Sequence, residues 1–186
     1  MNKIILVFAA LTISNFTVKA QQTSCQKLIA ASKSNSIIRV TTLLKKVNPN
    51  CKDRFGEPRT ALVAASRKGH IEIVKLLVAK NADVNFYARG DENALMAASA
   101  NGHLALVNYL IEKNANINAS IKGNGTALIA AVRNNNYLIA KTLLEHDANV
   151  NKAVNGDEYP MHHAKMNSNK PMIALLKQYQ NKNTKN

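Results

Sequence analysis

Three near-identical phrases constrain this chain more tightly than its composition does. NADVN (Asn81 to Asn85), NANIN (Asn114 to Asn118) and DANVN (Asp147 to Asn151) begin 33 residues apart. Leu62, Leu95, Leu128 and Met161 keep the same interval of 33. A reactive centre is built once, whereas a structural joint is built wherever it is needed. A fixed period in this range therefore means stacked units.

Each unit reads as two short helices. In the copy that starts at Thr60, the threonine hydroxyl can accept from the orphan N–H groups of a helix start. Leu62, Ala64 and Ala65 follow, with small side chains that allow close helix approach. Gly69-His70 interrupts the pattern. Ile71, Val74 and Leu77, widened by Ile73, Leu76 and Val78, then make a buried helical stripe. Asn81 falls where that helix must stop, and asparagine is the best non-glycine residue for a left-handed cap. Val84 re-enters the core, and Asn85 is expected to fold its side chain onto nearby backbone and start a turn. A polar loop, FYARGDE, leads to the next pair. An irregular first copy (KLIAASKSNSIIRVTTLLKKVNPN) and a degraded last one (YPMHHAKMNSNKPMIALLKQYQ) bring the total to about five units.

These residues resemble the ankyrin repeat family. The matching pieces are the helix start TALVAA, the Gly69-His70 and Gly102-His103 turns, the Leu-Leu pairs, the NADVN ends and PMHHA from Pro160 to Ala164. The resemblance covers about residues 25–180 and implies an all-α ankyrin-repeat solenoid of about five helix-turn-helix repeats with short hairpin-like loops. The repeats fall at about 25–52, 53–85, 86–118, 119–151 and 152–180, with a polar, partial cap at each end. The family's first-helix histidine, which ties the helix start to backbone, is Val63, Met96 and Ile129 here and survives only as His162. The glycine before Ala-Asp is replaced by Asn81, Asn114 and Asp147. The loop aspartate is absent, with Ala88, Ile121 and Val154 in its place, and the turn glycine comes one position early.

The segment before the repeats has a different character. A basic start, MNK, precedes the apolar run IILVFAALTI, which is too short to span a bilayer comfortably. Val18 and Ala20 then give the small-residue spacing of a signal peptidase site. Residues 1–20 are expected to be a cleaved signal peptide, which makes the chain exported, either periplasmic or secreted. Two cysteines, Cys25 and Cys51, fit either one disulfide or two buried thiols, and export favours the bridge. After Tyr179 the chain offers nothing apolar to bury, so residues 181–186 are expected to be a disordered tail.

The residues offer little chemistry. The chain has no phosphate-cradling glycine loop, zinc-helix motif, nucleophile elbow or Cys-x-x-Cys, and no metal or cofactor is expected. Asp91, Glu92, Asp157 and Glu158 are loop acids, and a stacked array gives them no deep cleft in which to converge. The chain is expected not to be an enzyme.

The positions that vary between copies carry the candidate site. Lys33, Arg67 and Arg133 share one place near the end of the first helix, where the third copy has Ala100. Arg89 and Lys122 share a loop place, and Arg54 lies in the longer first loop. Phe55, Phe86 and Tyr87 add aromatic surface beside those charges, a composition found in binding hot spots. The alternative is that Phe86 packs on a neighbouring loop and the charges are only solvated. In the resembling family the loops and first helices line the concave face where partners dock.

The formal net charge is +14, and +12 once Lys3 and Lys19 leave with the leader. That balance prefers an acidic partner. Export and the lack of a periodic aromatic–basic platform argue against nucleic acid. The expected function is thus a non-catalytic, monomeric protein-binding scaffold for a partner with an acidic surface. Alternatives are a basic module holding an anionic cell-envelope polymer, or an inhibitor or immunity partner of a secreted enzyme.

Overall fold

The computed structural model describes residues 22–53, 60–88, 92–121, 123, 125–153 and 159–183. These contain ten helices, α1 (residues 22–33), α2 (Ile37–Leu43), α3 (Ala61–Arg67), α4 (Ile71–Ala79), α5 (Ala94–Ala100), α6 (Leu104–Glu112), α7 (Ala127–Arg133), α8 (Tyr137–Glu145), α9 (Pro160–Met166) and α10 (Lys170–Asn183). They pair in order, one pair per expected repeat. The fold is the all-α repeat solenoid that the period implies. The expected leader, residues 1–20, lies outside the described residues.

Local chemistry sets the helix ends. Thr60 Oγ1 accepts from the Val63 amide, Asn93 Oδ1 from Met96 and Thr126 Oγ1 from Ile129, each capping a first helix. These helices close with a residue in the left-handed region. At Gly69 (φ +70°) the His70 amide reaches back to the Ala65 carbonyl (3.0 Å) and the Gly69 amide to Ser66 (3.2 Å). This double closure satisfies carbonyls that a helix end otherwise leaves orphaned. Second helices end the same way at Asn81, Asn114 and Asp147, with φ of 64°, 61° and 62°. Asparagine and aspartate tolerate that conformation because their short side chains bond locally.

Packing forms two rows. The first helices α3, α5, α7 and α9 pack one on the next, and among the second helices α2 meets α4, α6 meets α8 and α8 meets α10. In α3, α5 and α7 six of the seven residues are buried, leaving only the last one at the surface. Alanine at half of those positions lets the row close up. Second helices bury a single stripe, such as Ile73, Val74 and Leu77, and leave the opposite side wet. The first-helix layer is therefore core, and it offers a partner much less than an exposed helical face would.

The repeated phrase is an inter-repeat clamp, which corrects the expected role of Asn85. Its side chain does not fold onto nearby backbone. Asn85 Nδ2 donates to the Asn114 carbonyl (3.2 Å) and its Oδ1 accepts from the Asn116 amide (2.7 Å), both in the next repeat. Asn50 makes the same pair of bonds with Asn81 and Asp83, and Asn118 with Asp147 and Asn149. The local turn belongs to the middle residue of the phrase, with Asp83 Oδ1 accepting from the Asn85 amide (2.8 Å). The chain turns at the phrase's end, where the Phe86 amide donates to the Asp83 carbonyl (3.1 Å), and the Asn85 side chain meets main-chain groups of the next repeat that need partners.

The two ends are secured differently. Cys25, buried in α1, is joined by a disulfide to Cys51 at the exit of the first repeat, with Cα atoms 5.9 Å apart. Asp53, two residues on, accepts from the side-chain amides of Gln22 and Gln26. At the other end, α10 continues through Asn183, so residues 181–183 are helical where a disordered tail was expected. The helix is already nucleated upstream, and Gln and Lys propagate one readily. Gln180 Nε2 also donates to Asn151 Oδ1 (2.9 Å), and the Lys182 ammonium stands 5.8 Å from the Tyr179 ring centre.

Candidate partner-binding surface

Lys33, Arg67 and Arg133 occupy the last positions of α1, α3 and α7, and in α3 and α7 that is the one place where the helix surfaces. Their backbones are pinned by the following repeat. His70 Nε2 lies 3.1 Å from the Lys33 carbonyl and His103 Nε2 lies 3.2 Å from the Arg67 carbonyl. A carbonyl only accepts, so each Nε2 carries the hydrogen. Asn136 Nδ2 donates to Ser99 and Ala100, and Asn167 Nδ2 to Arg133 (3.1 Å). The row of charges is held at fixed spacing by these turn residues.

The charges themselves differ. Lys33 and Arg133 are exposed. Arg67 is half-buried, and its Nε donates to Glu92 Oε1 in the loop before α5. Arg67 is thus committed within the fold, and its charge is largely cancelled locally. The third member, Ala100, leaves a neutral gap.

The loops are short hairpin tips where they are described. Lys52 bridges antiparallel to Thr60, and Ile121 to Gly125, with Ile121 and Gly125 exchanging both backbone bonds at 3.0 and 2.9 Å. Gly123, at φ +89°, turns the second tip. Ala88 and Ile121, which stand in place of the loop aspartate, are buried and anchor the loop base. Phe86 is half-buried and Tyr87 is 46% exposed, so of the two aromatics Tyr87 is the one presented to solvent. Arg54, Phe55, Arg89 and Lys122 lie outside the described residues.

His162 does not tie down its helix. Its imidazole is exposed and meets the His163 ring edge-on at 5.6 Å, while Pro160 at the first helical position sets the start of α9. Among the described residues no group of three or more His, Cys, Asp or Glu is placed to hold a metal, and no helix is long and apolar enough to cross a membrane. On the outer row, burial pushes the Tyr109 hydroxyl above its ordinary pKa. Lys75 opposes the shift, and Glu112 and Glu72 add to it.

Sequence reasoning placed His70 and His103 in the turns of the repeat but did not see their acceptors. The signal was present, because 70, 103 and 136 carry His, His and Asn at the interval of 33. The Arg67–Glu92 pair had a weaker signal, since only Arg133 and Glu158 repeat its 25-residue separation in the sequence.

Two family models match the chain. One, described as ankyrin repeats (3 copies), matches residues 28–121, and a second, described as ankyrin repeat, matches residues 124–155. Together they take in well over half of the sequence. No curated protein matches.

Proposed function

We propose that this chain, which belongs to the ankyrin repeat family of protein–protein interaction modules, is an exported, non-catalytic scaffold for a partner with an acidic surface. The partner meets the loop tips and the C-terminal ends of the first helices on the concave side. One observation carries this reading. Packing consumes every side chain of α3, α5 and α7 but the last, and the exposed cations at first-helix ends are Lys33 and Arg133, with Tyr87 exposed on the loop before α5. An aromatic ring and cations at fixed spacing are the ingredients of a selective interface.

Export is supported by the signal-like residues 1–20 and by the Cys25–Cys51 bridge, because disulfides persist in oxidising compartments. A second reading, binding of an anionic envelope polymer, draws on the +12 balance remaining after leader removal.

The deciding experiment is cross-linking pull-down from envelope extract, with wild type beside a Phe86→Ala/Tyr87→Ala/Arg89→Ala variant and an Arg133→Glu variant. Loss of one defined protein in both variants supports the scaffold. Retention of that protein at full affinity by both rejects the surface. Capture of polymer alone, falling steeply with salt, replaces the scaffold by the polymer reading.

A further inference from the structure

Among the described residues no helix covers the outer flank of the first repeat, and its composition is unlike a neutral lid. Lys27 stands where the next three repeats carry Ala61, Ala94 and Ala127, and Arg39 where they carry Ile73, Leu106 and Ile139. All six of those residues are at most 2% exposed. Ala30 is exposed, whereas its counterparts Ala64 and Ala97 are buried. The positions that close against a neighbour inside the stack are therefore open on this flank.

Between α1 and α2 they border a groove of about 610 Å³, lined by Lys27, Ala30, Ser34, Ile38, Arg39 and Leu43. Its lining is largely apolar, and Ile38 is 82% exposed. The charged residues that line it are Lys27 and Arg39, both cationic. Residues 21–52 contain Lys27, Lys33, Arg39, Lys45, Lys46 and Lys52 and not one acidic residue. Neither Lys27 nor Arg39 forms an ion pair among the described residues. Surfaces built only for solubility mix the two signs, whereas a single-signed field around an apolar trough selects an occupant of the opposite sign.

We propose that this flank is a second docking surface, separate from the loop tips, which receives an acidic amphipathic helix of a partner protein. The helix sits as a preceding repeat would. Its apolar face covers Ala30, Ile38 and Leu43, and its carboxylates meet Lys27 and Arg39. A second copy of this chain is disfavoured, because it would bring a strongly basic molecule onto a basic rim. The disulfide and the Gln22 and Gln26 bonds to Asp53 stiffen this end, so the groove is presented pre-formed.

The test uses a labelled helical peptide of about 18 residues with leucines on one face and glutamates beside them. A scrambled isomer and a lysine-for-glutamate counterpart serve as controls. Fluorescence anisotropy with the leader-free protein should show binding of the amphipathic acidic peptide and about tenfold weaker binding of the scramble. Lys27→Glu/Arg39→Glu should weaken the acidic peptide at least about tenfold and bind the lysine peptide instead. Ile38→Ser should also weaken it, while Arg133→Glu stays within about twofold of wild type. Both charged sites are exposed, and the gain of lysine-peptide binding shows that the double variant is folded. Equal affinity for peptide and scramble, or an unchanged double variant, overturns the proposal. So does binding to phosphatidylglycerol vesicles, lost in the double variant, without peptide binding. Loss of the loop-tip surface in the pull-down leaves these outcomes unaffected.

Discussion

The imidazole of His103 rests on Gly69, and a Cβ at Gly69 would stand 2.6 Å from its Nδ1. The glycine is needed twice, for its φ of +70° and for the space that the neighbouring repeat's histidine fills. Gly69→Ala should therefore displace His103 and its bond to the Arg67 carbonyl, and cost about 3 kcal/mol in all. Gly123→Ala is the matched control, with φ +89° and nothing within 4 Å of the added methyl. It should cost only about 1 kcal/mol. Urea unfolding of the two variants compares them directly, and equal shifts would remove the inter-repeat contact from the explanation.

Replacing Asn85 by alanine removes two bonds to the next repeat and leaves its neighbours intact. The expected loss is about 1–2 kcal/mol, since the groups are exposed enough for water to replace part of each bond. Asn85→Asp should not restore stability. Its carboxylate can still accept from Asn116 but faces the Asn114 carbonyl, which has lost its donor. Amide hydrogen exchange gives the sharper readout, because the Asn116 N–H should exchange faster in Asn85→Ala.

The Cys25–Cys51 bridge closes 26 residues of chain around a repeat that is stacked on one side only. By restricting the unfolded ensemble it should add about 3 kcal/mol. Reductant should lower the melting temperature, with the first amides to lose protection lying in α1 and α2. A melting temperature that does not respond to reductant would argue against the bridge as a brace.

Tyr109 should give the alkaline limb of the stability curve. Its folded-state pKa is raised above 10.0, chiefly by burial. The folded chain therefore holds this proton more tightly than the unfolded chain does, and the contribution is complete below the ordinary tyrosine value. It is lost as pH rises through the higher folded value. One of the five tyrosines should ionise late in an absorbance titration. Tyr109→Phe should flatten the fall in stability at high pH, and an unaltered fall would assign it elsewhere.

Much of the architecture was legible because it repeats. Leu62, Leu95 and Leu128 report the period, Thr60 and Thr126 the helix starts, and Asn81 the left-handed stop, each through a local preference that any copy displays. Asn85 was misread for a physical reason. Its local turn chemistry is real for asparagines in general, but Asp83 makes the turn by binding the Asn85 backbone N–H, and the Asn85 side chain reaches across 29 residues. Arg67 was misjudged similarly, since its cost of burial is met by Glu92, a residue that only the stacked arrangement brings near. Residues 181–183 read as a tail because composition alone does not register a helix already running into them.

The Asn50, Asn85 and Asn118 side chains grip only main-chain atoms of the repeat that follows. Main chain is common to all sequences, so the clamp is blind to what the next unit is made of. The clamp therefore places no demand on the side chains of the unit it holds, and matching between units falls to the packed helix faces and to contacts such as His103 on Gly69. Loop residues can change while the hinge pins between units stay as they are.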